Sequence, residues 1–161
     1  MNDTTAKEAV TLRRAVAGDA GRLTELVQES GAYRGRYASI ISGYAVTPDY
    51  LARHEVHVAV GPDGGTLGFY ALVLDPPELD LAFVDDAAQG LGVGRQLIAH
   101  MKETAAKAGL REVRVVAHPP AEPFYLRTGA RRTGTVPPMP PKVPWARPEL
   151  CFEVTPRVPA A

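Results

Sequence analysis

The chain has 161 residues, of which 45% are apolar and 22% charged, and eighteen basic side chains balance eighteen acidic ones. That length and composition suit one folded domain with a real core and exclude a disordered chain. The even balance gives no basic surface for nucleic acid, the one cysteine excludes an internal disulfide, and no apolar run reaches the ~20 residues of a bilayer-spanning helix.

The balance hides an asymmetry. Residues 1–80 carry seven basic and eleven acidic side chains, and residues 81–161 carry eleven and seven. An anionic ligand would favour the second half. Met1 to Ala9 is polar and lacks a signal-peptide core. The expectation is a soluble cytoplasmic protein with a single domain over 1–161 and loose ends at 1–9 and 156–161.

Val10 to Val16 reads as a first strand. Asp19, after Gly18, is placed to cap a helix in which Leu23, Leu26 and Val27 share one face, ending near Ser30–Gly31. Tyr33 to Tyr44 is a second helical candidate, with Tyr37, Ile40, Ile41 and Tyr44 at helical spacing. Thr47-Pro48-Asp49 supplies a cap and a first-turn proline for a short helix to His54. Glu55 to Val60 alternates as a strand, Pro62 to Gly65 turns, and Thr66 to Leu74 returns as its hairpin partner. Asp75-Pro76-Pro77 breaks that strand, and Leu79 to Val84 is the fourth.

Next comes Q-G-L-G-V-G-R, Gln89 to Arg95, opening a helical pattern from Gly92 to Ala108. Val93, Leu97, Met101 and Ala105 form its apolar stripe with Ile98 beside it, Glu103 and Lys107 lie on a polar face, His100 reads as surface, and Gly109 stops the helix. Glu112 to Ala117 is a fifth, buried strand, and His118-Pro119-Pro120 leaves it. Ala121 to Thr128 forms one or two helical turns ended by Gly129, and Ala130 to Val136 is a sixth strand. The six prolines between Val136 and Pro148 demand an irregular loop, and Glu149 to Thr155 is the last strand, with Cys151 as a small buried residue. The order β-α-α-β-β-β-α-β-α-β-β places the chain in the α/β class with a mixed, α+β-type sheet.

Glycines 90, 92 and 94 leave a turn whose backbone N–H groups can converge at a helix N-terminus, a setting for a phosphate. The competing reading is a plain corner, but glycine costs a helix roughly 0.5–1 kcal/mol relative to alanine. The string is neither G-x-x-x-x-G-K-[ST] nor G-x-G-x-x-G after a first strand.

Q-G-L-G-V-G-R after F-V-D-D-A-A resembles the Q/R-x-x-G-x-G/A signature of the Gcn5-related N-acetyltransferase (GNAT) family, and P-F-Y-L-R-T-G-A, Pro123 to Ala130, is similar to its F-Y-x-x-x-G-F segment. The resemblance implies a GNAT-like acyl-CoA N-acyltransferase fold and acetyl-CoA as cosubstrate. It implies that Ala82, Phe83 and Val84 meet the pantetheine amides. Gln89, Gly90, Leu91, Gly92, Val93, Gly94 and Arg95 would then hold the pyrophosphate. A homodimer is also expected, because relatives are often dimers.

Attack of an amine on a thioester needs a proton acceptor, and gains from a donor to the departing thiolate. Tyr125 matches the family tyrosine that protonates that sulfur, and the competing role is a core aromatic. His118 stands where the family has an asparagine bonding the cofactor arm, so it reads equally as a cofactor contact or as the base. Asp80, four residues before Val84 and on a face with Ala82 and Val84 by period two, is a further base candidate, with Glu78 as substitute. His54 and His57 are weaker candidates. The four histidines and one cysteine show no metal-ligand spacing.

For the acceptor, Tyr33, Arg34, Arg36, Tyr37 and Tyr44 lie in one candidate region and Met139, Lys142 and Trp145 in another, with Tyr33, Tyr37 and Trp145 as the contacts. Ordinary amphipathic packing is the competing account of each. Two functions follow: acetyl transfer from acetyl-CoA to a primary amine of a small molecule or protein, or a CoA-binding regulatory module without transfer.

Overall fold

Phe69, Tyr70, Ala71 and Leu72 are all fully buried, so the strand they form has no solvent face and lies between two apolar layers. The fold is a computed structural model that describes residues 10–33 and 35–157. Arg34 and the side chain of Arg36, two of the acceptor-side candidates, lie outside the described residues, as do 1–9 and 158–161. Seven strands form one sheet: β1 (Thr11–Arg14), β2 (Glu55–Val60), β3 (Thr66–Leu74), β4 (Pro77–Val84), β5 (Glu112–Val116), β6 (Arg131–Val136) and β7 (Arg147–Glu153). Their spatial order is β1-β2-β3-β4-β5-β7-β6. The described α-helices are α1 (Ala20–Gln28), α2 (Pro48–Arg53), α3 (Val93–Lys107) and α4 (Glu122–Arg127).

On one face of the sheet, Leu23, Leu26 and Val27 of α1 and Leu51 of α2 pack on Val56, Val58, Phe69 and Phe83. On the other, Leu97, Ile98, Met101 and Ala105 of α3 pack on Tyr70, Leu72, Val113 and Val115, with Tyr125 of α4 in the same layer. Each large apolar side chain so buried contributes about 1.5–3 kcal/mol. These two layers press β3 and β4 between helices, and α3 is the crossover that makes β4 and β5 parallel.

Here the sheet opens. β4 and β5 are in register only at Glu78↔Arg114. Beyond that point the strands part, and the edge of β4 toward Val84 faces a gap.

Several expectations are corrected. The strand predicted over Val10–Val16 is shorter, Thr11–Arg14. Asp19 does not cap α1, because its carboxylate turns back to the Val16 N–H and to Arg13. The predicted helix over Tyr33–Tyr44 is replaced by short 3-10 turns at Gly31–Tyr33 and Gly35–Ile40. Glycines at 31, 35 and 43 disfavour a continuous α-helix there. Thr47 does cap α2, its side chain accepting from the Tyr50 N–H at 3.1 Å.

Asp80, Ala82 and Val84 do not share a face. The β3–β4 register slips between Ala71↔Leu81 and Leu72↔Leu79, leaving Asp80 as the extra residue of a bulge. The slip puts Leu79, Ala82 and Val84 in the α3 layer, whereas Asp80 meets Tyr50 in the α1–α2 layer. His100 is not a plain surface residue: its Nδ1 lies 2.7 Å from the Tyr70 hydroxyl, against His57, and burial lowers its pKa. The Pro-rich loop carries a small ladder, Met139↔Val143. Arg157, expected in a loose end, bonds the Ala106 carbonyl through its N–H at 2.9 Å and pairs with Glu103.

Candidate active site

The gap between β4 and β5 widens into a cleft of about 700 Å³. Its walls are the end of β4 (Ala82, Phe83, Val84), the turn Gln89–Arg95 with the start of α3, one side of α4, and Ala32–Tyr33. His118 and Tyr125 line it as well. The fold thus brings every residue proposed for the cofactor to one cavity.

The turn end of the cleft is built to receive an anion. Gly90 and Gly92 have φ of +82° and +80°, a backbone state that side chains resist, and Gly92 stands immediately before α3. As a result the N–H groups of Gly92, Val93, Gly94 and Arg95 find no acceptor among the described residues. Gly94 has a different reason to be glycine, since a Cβ there would stand 3.1 Å from two ring carbons of Phe124. Arg95 and Arg127 reach the same cleft, and neither has a carboxylate partner among the described residues. The nearby acids are already engaged: Asp85 pairs with Arg22 at 2.7 Å, and Asp86 accepts the Gly31 N–H at 3.1 Å. Gln89 turns its side-chain amide onto the Val84 carbonyl at 3.3 Å, so it braces the turn against β4.

The other end gathers aromatic rings around His118. Tyr33 stacks on the imidazole with ring centres 4.1 Å apart, and Tyr37 meets it edge-on at 5.6 Å. Trp145 stands edge-on to Tyr37 at 4.9 Å. The three predicted acceptor contacts therefore form one group. The His118 Nε2 lies 3.0 Å from the Ala32 carbonyl. That oxygen can only accept, so Nε2 carries the proton and the neutral ring keeps its lone pair on Nδ1. Burial lowers the His118 pKa, only partly opposed by this hydrogen bond. Tyr125, on α4, is buried beside Phe124 and Phe152, and its burial pushes the phenol well above its usual range. Burial likewise pushes the Tyr33 phenol up to about 12.

A small cavity of about 50 Å³ lies between the parted strands, and Asp80, His118 and Tyr125 are among the residues that line it. Asp80 accepts a hydrogen bond from the Tyr50 hydroxyl at 2.5 Å, and Tyr44 lies beside this pair. Glu78 sits where the strands last touch, near Arg114, and burial raises its pKa. The remaining candidates are placed elsewhere. His54 packs on Tyr50, His57 on Tyr70 on the α3 face, and Cys151 is buried in β7. Among the described residues no group of three or more His, Cys, Asp or Glu could hold a metal ion, and no helix is long and apolar enough to cross a membrane.

Arg127 and Tyr50 were not foreseen, nor were two contributors from farther along the chain: the Ala32 carbonyl, which sets the His118 tautomer, and Arg147, which acts electrostatically on both Tyr33 and Glu78. No local motif marks either, because both reach the site through strand register and loop path.

A model of the acetyltransferase (GNAT) domain matches residues 37–137. No curated protein sequence matches the chain. Among solved structures, a GCN5-related N-acetyltransferase from Rhodopseudomonas palustris superposes with a TM-score of 0.72 at 20% identity, covering 89% of this chain and 95% of that one. An IAA acetyltransferase from Bacillus cereus gives 0.68 at 20% identity, covering 90% and 99%. A GNAT family acetyltransferase from Elizabethkingia anophelis, with acetyl-CoA bound, gives 0.66 at 18% identity, covering 91% and 99%. At these identities the structures show the shared fold, while the domain match spans most of the chain. The glycine turn, the parted strands and that match together place the chain in the GNAT acetyltransferase family.

Proposed function

We propose that the chain transfers an acetyl group from acetyl-CoA to a primary amine by direct attack. One observation carries the reading: four backbone N–H groups without acceptors close one end of a cleft whose other end holds His118 and Tyr125. Acetyl-CoA supplies an acyl thioester.

The N–H groups of Gly92 to Arg95, at the positive end of α3, hold the pyrophosphate, with Arg95 and Arg127 adding charge. The open edge of β4 at Ala82–Val84 pairs with the pantetheine amides as a neighbouring strand would. His118 takes the proton of the amine on Nδ1, and the imidazolium so formed keeps its Nε2 hydrogen bond to Ala32. Tyr125 donates from its hydroxyl to the departing sulfur. Desolvation raises the phenol, and the same desolvation raises the basicity of a thiolate released beside it. Asp80, held by Tyr50, presents negative charge to an ammonium entering from the strand gap.

The Asp80 bulge is a second candidate for the base, favoured by its place on the small cavity that Tyr125 also lines. His118→Asn separates the two, since it keeps a donor for the Ala32 carbonyl and removes the base. A thiol-release screen with acetyl-CoA against small amines, amino acids, aminoglycosides and peptide N-termini tests the proposal. Release with at least one amine is expected. Tight acetyl-CoA binding with no release across the screen would instead support a CoA-binding module.

A further inference from the structure

The face of the sheet beyond α1 carries a set of charges. Arg114 is shared by Glu78 and Glu149, which leaves that group with one negative charge in excess. Arg147 is different. The β5–β7 pairing runs past Val116↔Glu149, with the Ala117 N–H on the Pro148 carbonyl at 3.1 Å, and one residue further that register sets the backbone of Arg147 opposite that of His118. Its charge acts on Tyr33 and Glu78. Yet among the described residues its guanidinium meets no carboxylate, and its Nε is buried with no hydrogen-bond partner. The Nη2 atom on the same edge has only the Met139 sulfur at 3.9 Å, a weak acceptor.

A second orphan lies two residues away. The Trp145 indole Nε1 is buried and makes no hydrogen bond, and its ring stands against Tyr37 in the group around His118. Two buried donors without acceptors, one of them on a guanidinium that pairs with no carboxylate among the described residues, fit a ligand that is anionic, planar and accepts without donating. A carboxylate meets all three conditions. Met139 is 62% exposed, unbranched and flexible, and serves as the displaceable cover over the arginine edge.

We propose that Arg147 and Trp145 form a carboxylate subsite, so that the acceptor is an amine bearing a carboxylate, of the amino-acid class. This rests on the acetyl-transfer reading above. The carboxylate lies across the Arg147 Nε–Nη2 edge with one oxygen toward the Trp145 N–H, and the amino group is left at His118.

The test pairs α-, β- and γ-amino acids with their carboxamides, in thiol-release kinetics and in calorimetric binding with CoA present. The carboxylate member is preferred by about 50-fold in kcat/KM. Arg147→Gln shrinks that ratio to within about threefold, acting mainly on KM. Arg147→Lys keeps the charge but loses the fork, and also loses most of the preference. Trp145→Phe keeps the ring and raises KM for the carboxylate several-fold. Equal loss for both members of a pair in Arg147→Gln, or turnover of carboxamides as fast as carboxylates by the wild type, overturns the subsite while leaving transfer standing. Carboxylate binding that depends on Arg147 without thiol release from any amine does the reverse.

Discussion

Gly68 is the tightest point of the sheet, and replacing it with alanine would strain the cleft from within. A Cβ at Gly68 would lie 2.6 Å from the Phe83 carbonyl oxygen and 3.2 Å from the Leu97 Cδ1. Carbon and oxygen normally approach to about 3.3 Å, so β3 and β4 must part by roughly 0.7 Å. The obstructing atom is backbone and cannot rotate away, and Val84 is Gly68's partner in the ladder. Overpacking of this kind costs about 1–3 kcal/mol, or roughly 3–10 °C in Tm for a chain of this size. Because Phe83 and Val84 form the cleft wall, KM for acetyl-CoA rises as well. Gly21→Ala is the control, at an exposed position of α1 where an added Cβ meets nothing within 4 Å. It gains about 0.5–1 kcal/mol. Thermal melts of both variants with and without acetyl-CoA decide the matter, and a Gly68→Ala protein melting with the wild type refutes the packing argument.

Further outcomes follow from the same geometry. Gly92→Ala forces a side chain into φ +80° and costs about 1–2 kcal/mol, while calorimetry shows weaker acetyl-CoA binding as the N–H cradle shifts. Tyr125→Phe lowers kcat about 10- to 100-fold in steady-state assays, and unchanged turnover removes the hydroxyl from the mechanism. For His118, burial holds the folded pKa below the ~6.5 of the unfolded chain. The unfolded state therefore takes up the proton first as pH falls. Stability is full above the unfolded value, declines below it, and levels off beneath the folded value. Denaturant melts of His118→Asn across pH lack this part of the acid loss, and its kcat/KM profile lacks the corresponding acidic limb.

What the sequence made legible was local. The strands at Glu55–Val60 and Thr66–Leu74 have the expected bounds because alternation and the Pro62–Gly65 turn act over a few residues. The stripe Val93, Leu97, Met101 and Ala105 is buried as helical spacing requires. The cleft residues were legible because the glycine turn and the Phe124–Tyr125 segment are contiguous strings. What stayed hidden depends on two segments at once. The Asp80 bulge is a mismatch between β3 and β4 and leaves no mark in β4 alone. The Tyr33–Tyr44 stretch has helical spacing, but its rings serve His118 and Asp80 rather than a continuous helix. Arg147 reads as one cation of the Pro-rich loop, whereas the last strand begins with it and its register sets it opposite His118, with no carboxylate partner among the described residues.

The central claim is that the cleft binds acetyl-CoA and delivers its acetyl group to an amine. Incubating the protein with acetyl-CoA and the amine screen, then following free thiol and acetylated product by mass spectrometry, tests it most directly. The account predicts equal amounts of thiol and N-acetylated amine for at least one acceptor, falling sharply in His118→Asn. Thiol release with no acetylated amine would contradict it, whereas acetylated amine undiminished in that variant would move the base from His118 to Asp80.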